Sequence, residues 1–296
     1  MFVSTYNGEK YLSQQLDSIL GQQEVDVSIL IRDDGSKDGT IAILENYSSR
    51  FPNVSYYLGN NVGPCMSFFD LLNHSQGYDY YAFGDQDDVW DNDKLLRAIE
   101  MINHYSDNSP VLYCSNLRVV DKDLNFCRNA QSSYDTSRRY AALVDFYAVG
   151  CTEVFNQAAA DITKSHLRTD CIMHDSWVFM ICNFFGNVIY DNESHINYRQ
   201  HDHNVIGTKK DKLSLFRERL KRVTNKTIQP RLLNAQLLYS EFLEQLSAED
   251  NKKIQKVLNY KNGVRNMLSL LFDFDIRSNH ILSDIRYRFL ILLKKI

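Results

Sequence analysis

The first hundred residues alternate short apolar runs with amphipathic stretches, and this rhythm limits the possible folds more than any other feature of the chain. Met1 to Thr5 reads as a first strand. In GEKYLSQQLDSILGQ, the residues Tyr11, Leu12, Leu16, Ile19 and Leu20 fall on one helical face, and Gly21 marks the stop. VDVSILIRDD alternates as a strand, TIAILENYSS reads as a helix and VSYYL as a third strand. GPCMSFFDLLNHS opens on Gly-Pro as a short helix, YDYYAF is a fourth strand, and DKLLRAIEMINHY is the helix after it. Strand and helix in regular succession imply an α/β fold, with a largely parallel sheet flanked by helices.

The middle of the chain is less regular. VLYCSNLRVVD and the DKDLN turn predict a hairpin added to the sheet, and the polar residues 128–145 predict a loop. DSWVFMICNFFG reads as a helix buried on most sides. Beyond residue 208 the pattern is helical. Residues 208–296 hold 19 Lys and Arg against nine Asp and Glu, a net +10. The whole chain has 33 against 37, so the first 207 residues carry −14. Two regions are therefore expected: an acidic domain over 1–207 and a basic helical region over 208–296.

Composition narrows the function classes. No apolar run reaches the ~18 residues needed to cross a bilayer. The six cysteines are scattered without a C-x-x-C pair, which points to a reducing cytoplasm and away from a zinc site. The basic tail contains no nucleic-acid-recognition motif, so nucleic acid is not an expected partner.

In an open parallel sheet, ligands bind beyond the carboxyl ends of the strands. Two acidic clusters fall there. Asp33 and Asp34 end the second strand, and Asp85, Gln86, Asp87 and Asp88 end the fourth. No glycine-rich phosphate loop accompanies either cluster. Carboxylates at such spacing repel each other unless a cation sits among them. Hard carboxylate oxygens suit Mg2+ or Mn2+, which in turn suit phosphate. The alternative for the second cluster is helix capping by Asp91 or Asp93, with the rest solvated. The stretch DDGSKDGTIAILE also spells a calcium-loop pattern, D-x-S-x-D-G-x5-E. That leaves a noncatalytic calcium- or nucleotide-binding module as the rival from another class.

The ordered segments STYNGEKYLSQQLDSI, RDDGSKDGT and FGDQDDVW resemble the family 2 glycosyltransferases of the GT-A fold. GCTEVFN, MHDSWV and YRQHDHNVIG are similar to a bacterial rhamnosyltransferase-like branch of that family, and the match runs over residues 3–207. The resemblance implies a GT-A (Rossmann-like), mostly parallel mixed sheet. It implies an inverting transfer from a nucleotide-diphosphate sugar, assisted by Mn2+ or Mg2+. The expected donor is dTDP-rhamnose, with a UDP-hexose or UDP-N-acetylhexosamine as the rival. The expected acceptor is a glycan or lipid-linked hydroxyl in bacterial surface polysaccharide synthesis, at the inner face of the cell membrane.

Carried over residue by residue, Thr5, Tyr6 and Asn7 lie at the nucleotide pocket, and Asp33 and Asp34 match the pair that contacts base and ribose. Asp85 and Asp87 match the D-x-D motif, in which Asp85 also faces the nucleotide sugar. Asp175 matches the catalytic base. Arg199 and His201 belong to a late loop near the diphosphate, where Arg199 is expected to contact phosphate or to stand exposed at the surface, and His201 to contact the metal or diphosphate or to stay solvated. Asp202 stands where that branch carries a glycine. An acceptor hydroxyl must lose its proton as it attacks, and a carboxylate placed before a hydrophobic helix, as Asp175 is, gains basicity from burial. His174 either orients Asp175 or packs, and Trp90 and Trp177 are expected in the core.

The tail segments LSLFRERLKRV and RYRFLILLKKI mix apolar and basic residues. Such helices contact anionic membrane surfaces peripherally, or pack into a bundle or dimer.

Overall fold

The computed structural model describes residues 1–130, 134–168, 173–201 and 230–296. The chain divides into two compact units. One is Met1–Thr136 with Tyr147–Arg199, and the other is Ser137–Phe146 with Gln200–Ile296. The boundary expected after residue 207 lies outside the described residues, as do Asp202 and the segment LSLFRERLKRV.

The first unit begins with the expected alternation: β1 (Phe2–Thr5), α1 (Leu12–Leu20), β2 (Ile29–Asp33), α2 (Thr40–Arg50), β3 (Val54–Leu58), α3 (Pro64–Asn73) and β4 (Tyr80–Gly84). Then follow β5 (Val89–Trp90), α4 (Lys94–Ile102), β6 (Val111–Val120), β7 (Phe126–Asn129), β8 (Val154–Asn156), α5 (Gln157–Ser165), α6 (His174–Phe185) and β9 (Asn187–Arg199). Local chemistry explains several boundaries. Leu12, Leu16 and Ile19 of α1 are buried at helical spacing, and Pro64 starts α3 where a missing N–H costs nothing. Asn156 caps α5 by accepting the N–H of Ala159 at 3.1 Å.

Among the described residues the strands form one nine-stranded sheet in the order β3-β2-β1-β4-β8-β6-β9-β5, with β7 paired to β6. β3, β2, β1 and β4 run parallel; β8 is antiparallel to β4 and β6; and β9 runs parallel to β6. The expected hairpin is β6–β7. The strand expected from Val25 starts only at Ile29, and part of the expected 128–145 loop forms a 3-10 turn over Arg139–Leu143. The 13-residue β9 and the two-residue β5, which pair antiparallel, were not anticipated.

This topology positions the site. Successive strands β1, β2 and β3 step one way from β1, and the chain then returns to place β4 on its other side. The register Phe2↔Phe83 and Val3↔Gly84 brings the carboxyl ends of β1 and β4 side by side at a switch point. Val3, Leu16, Ile31, Leu44 and Ala98 are among the buried residues of the aliphatic core. Phe2, Tyr81, Phe83 and Phe155 pack ring to ring, with centroids 5.1–6.2 Å apart.

The second unit contains α7 (Pro230–Phe242), α8 (Ala248–Leu258), α9 (Val264–Leu271) and α10 (Ile281–Leu292). Arg139 grips Asp250 with two hydrogen bonds of 3.0 Å. Tyr260 Oη donates to the carbonyl of Ile296 and accepts its N–H, both at 2.9 Å. No helix among the described residues is long and apolar enough to cross a membrane.

Candidate active site

Two loops at the ends of β1 and β2 are built around carboxylates. Asp33 Oδ2 accepts from Thr5 Oγ1 at 2.9 Å and from Ser36 Oγ at 2.5 Å. Its Oδ1 accepts the N–H groups of Gly35 and Ser36 at 3.1 and 2.8 Å. Asp34 pairs with Arg32, and its Oδ2 accepts the N–H groups of Val62 and Gly63 at 2.9 and 3.0 Å. Asn7 sits at φ 50°, a left-handed conformation that asparagine tolerates. Its N–H donates to Ser36 Oγ at 2.8 Å, and its Oδ1 accepts from the N–H of Lys37 at 2.8 Å. Thr5, Asn7, Asp33 and Asp34 thus belong to one hydrogen-bonded pair of loops, with Thr5, Asp33 and Asp34 buried inside it and Tyr6 exposed at its rim.

Across the switch point, the D-x-D loop is clamped to these loops by its middle residue. Gln86 Oε1 accepts the N–H of Tyr6 at 2.9 Å, and Gln86 Nε2 donates to the Tyr6 carbonyl at 3.2 Å. A Cβ on Gly8 would overlap the Gln86 amide, so the clamp needs glycine there. The neighbouring carboxylates are crowded. Burial pushes Asp85 up to about 7, and the charges of Asp87 and Asp175 add to the shift. Asp88, fully buried, is pushed upward by burial and then by Asp87 and Asp85. Its Oδ1 accepts the N–H of Arg199 at 3.0 Å, while its Oδ2 is buried without a hydrogen-bond partner.

Asp175 stands in the first turn of α6 and is 8% exposed. Its Oδ2 accepts the N–H of Gly150 at 3.1 Å and its Oδ1 the N–H of Ser176 at 2.6 Å. Burial pushes its pKa up to about 6, against the lowering effect of those backbone hydrogen bonds. Gly150 comes close for a reason: a Cβ there would sit 3.1 Å from His174 Nε2 and 3.3 Å from Asp175 Cβ. His174 packs. Its ring stacks on Phe68 at 4.1 Å and meets Phe83 edge-on at 4.5 Å, and burial lowers its pKa to about 3, which keeps it neutral. Trp90 and Trp177 are buried, as expected of core residues.

Arg199 lies at the end of β9 and is 2% exposed. Nε donates to the Asp87 carbonyl at 2.7 Å, Nη1 to the Lys122 carbonyl at 2.8 Å, and Nη2 to Gln14 Oε1 at 2.5 Å. It therefore secures the loop that carries Asp87 and Asp88. His201 is half-buried and belongs to the second unit.

The donor set fits a hard divalent cation. Asp85, Asp88 and Cys151 each offer a ligand atom within 4.8 Å of the others. The partnerless Asp88 Oδ2 is a buried acceptor for which a cation would compensate. Burial raises the Cys151 thiol, with Asp88 and Asp85 adding to the shift, so the carboxylates are the better ligands. Beneath them Lys94 is fully buried, its Nζ 3.4 Å from the centroid of the Trp90 ring, and burial lowers its pKa to about 7. A second group, Asp91, Asp93 and His195, already has a protein cation, since Arg118 Nη2 binds Asp91 Oδ1 at 2.5 Å. The sequence placed Gln86 and Asp88 in the acidic cluster without a role of their own, and it did not point to Gly150, Cys151 or Lys94. Asp88 was visible in the D-Q-D-D run, but the others gain meaning only from what they touch.

Comparison with known proteins gives the family and the fold. Residues 1–161 match the family model described as Glycosyl transferase family 2. The chain is 30% identical to the dTDP-rhamnosyl transferase RfbG of Shigella flexneri over 217 residues, 69% of this chain and 73% of that protein. It is 34% identical over 99 residues, 33% of this chain, to the putative teichuronic acid biosynthesis glycosyltransferase TuaG of Bacillus subtilis, of which that stretch spans 39%. The fold is similar to that of S. aureus TarS solved with UDP-GlcNAc, at 17% identity and a TM-score of 0.58, over 99% of this chain and 90% of that one. It is also similar to the mannosyltransferase PcManGT from Pyrobaculum calidifontis in complex with GDP-Man and Mn2+, at 14% identity and a TM-score of 0.51, over 99% and 85% of the two chains. The strand that precedes the DDGSKDGT loop stands where a calcium-binding loop of the EF-hand type needs a helix. With the family match over more than half its length, the chain belongs to glycosyl transferase family 2 and is a glycosyltransferase.

Proposed function

We propose that the protein is an inverting, metal-dependent transferase. It moves L-rhamnose from dTDP-rhamnose to a hydroxyl of a glycan or lipid-linked acceptor in bacterial surface polysaccharide synthesis. The observation that carries the reading is geometric: Gly150 donates its N–H to Asp175 Oδ2 at 3.1 Å, and the next residue, Cys151, has its Sγ within 4.8 Å of the Asp85 and Asp88 carboxylates. A base and a cation-seeking acid loop within reach of each other are what sugar transfer from a diphosphate requires. The donor sugar is proposed from the likeness to RfbG.

Each group has a task in this scheme. Thr5, Tyr6, Asn7, Asp33 and Asp34 form the wall against which base and ribose rest. Asp85, Asp87 and Asp88 would hold Mn2+ or Mg2+, and a bound ion would supply charge neutralisation for the departing diphosphate. Asp175 accepts the proton of the acceptor hydroxyl as its oxygen attacks the anomeric carbon from the face opposite the diphosphate, which inverts that centre. A base whose pKa sits near 6 is ionised at neutral pH yet more basic than an exposed carboxylate. The N–H groups of Gly150 and Ser176 hold its two oxygens in place. Arg199 acts through the loop, fixing the Asp87 carbonyl and the Asp88 carboxylate.

A panel of dTDP-, UDP- and GDP-sugars tests this function, scored for metal-dependent release of the nucleotide. Turnover of dTDP-rhamnose above the others is expected. Preference for a UDP-hexose or UDP-N-acetylhexosamine would replace the donor, and no turnover of any sugar with Mn2+ or Mg2+ would reject the scheme.

A further inference from the structure

Helix α10 is apolar on two sides, and among the described residues only one of them is covered. Tyr287, Leu290 and Ile291 are at most 4% exposed and pack into the second unit. At 100° per residue, Ile281, Leu282, Ile285, Phe289 and Leu292 share an arc of about 100° on another side. These five are 51–78% exposed. Phe274, 67% exposed, extends the patch, with its ring centroid 5.6 Å from the Arg288 guanidinium. A contiguous apolar surface of this kind marks an interaction site.

The charges around the patch select the partner. Residues 261–296 hold seven Lys and Arg against three Asp. Each of the three acids is paired: Asp273 and Asp275 with Lys253, and Asp284 with Arg288. The exposed Arg286 borders the arc, and Lys294 and Lys295 follow the end of the helix. In a two-fold dimer built on this face, the same basic rim would meet itself. Against an anionic bilayer it meets opposite charge. A 12-residue helix is about 18 Å long, too short to span the hydrocarbon core, so it fits the plane of the interface.

We infer that the outward face of α10 docks the protein onto an anionic lipid surface, burying Ile281, Leu282, Ile285, Phe289 and Leu292 among the headgroups. This goes beyond the transfer chemistry, because none of these residues belongs to the acid site. The test is co-sedimentation of the full chain with vesicles of phosphatidylcholine alone or mixed with phosphatidylglycerol. Binding to the anionic vesicles is expected, weakened by salt. The double variant Ile285→Asp/Phe289→Asp should lower that partitioning at least about tenfold, since two buried anchors become charged. Reversing Arg286, Lys294 and Lys295 to Glu should cost about fivefold per charge on the anionic vesicles. Ile285, Phe289, Arg286 and Lys294 are exposed and Lys295 is half-buried, so circular dichroism and donor turnover should match wild type. Equal sedimentation of wild type and Ile285→Asp/Phe289→Asp overturns the inference. So does a dimer in sedimentation velocity that the double variant dissociates, with no vesicle binding; the face would then be a contact between copies.

Discussion

Gln86 clasps Tyr6 by both backbone polar atoms, accepting its N–H at 2.9 Å and donating to its carbonyl at 3.2 Å. The middle residue of the D-x-D motif thereby ties the acid loop after β4 to the loop after β1, across the switch point of the sheet. Replacing Gln86 with Ala removes two hydrogen bonds, each worth about 1 kcal/mol where exposed. The donor KM should rise roughly tenfold, while the melting temperature falls only a few degrees. Gly8→Ala should act in the same direction by displacing the Gln86 amide, and the double variant should cost little more than either single one. Steady-state kinetics on the three variants checks this.

The pH profile of transfer should report Asp175. The base must be ionised, and burial holds its pKa at about 6. kcat/KM should therefore fall tenfold per unit below pH 6 and level off above it. Gly150→Ala pushes a methyl group against His174 and Asp175, so it should lower kcat by about tenfold or more without weakening nucleotide binding.

Crowded acids should make the metal-free protein less stable as pH rises. Asp85 and Asp175 have folded-state pKa values raised to about 7 and 6. Their contribution is favourable below the ordinary carboxyl value near 4 and is lost as pH climbs through 6 and 7. A divalent ion reverses the loss by pairing with the ionised forms. Thermal melts with Mn2+ and with EDTA should differ little at pH 5 and by several degrees at pH 8.

Acid should act oppositely on the helical unit. Burial alone would raise Asp273, but hydrogen bonds from Lys256 and Lys253 and from the Asp275 N–H outweigh it and pull the pKa to about 2. Its stabilising contribution is complete above the ordinary carboxyl value near 4 and disappears as pH falls through 2. Asp273→Asn should be less stable than wild type at pH 7, and the gap should narrow at pH 2.5. Urea unfolding at the two pH values measures it.

The fold was legible where side-chain alternation is simple. β1 to β4 and their helices announce themselves because each buries a one-sided or continuous apolar pattern, and the acid clusters stand out because carboxylates after an apolar strand need a reason. β9 was not legible: NVIYDNESHINYR buries Asp191, His195 and Arg199 along with Ile189 and Ile196, so polarity does not follow the pleat. The pairing of residues 137–146 with the helical unit joins distant segments, which no local period encodes. Asp175 was found through a motif; its partner Gly150 has no signal of its own. Arg199 shows the difference between type and place. An arginine near phosphate ligands suggests an anion contact, whereas the structure gives each of its nitrogens a protein acceptor.

The decisive measurement is the turnover of Asp175→Asn beside its donor affinity, with the nucleotide sugar that wild type prefers and Mn2+ present. Turnover should drop by about 10²- to 10⁴-fold, while calorimetry should give a nucleotide affinity within about twofold of wild type. Asp87→Ala should show the reverse ordering, with binding lost first. Wild-type turnover by Asp175→Asn would mean that the proton leaves the acceptor by another route, and the joint site described here would fall.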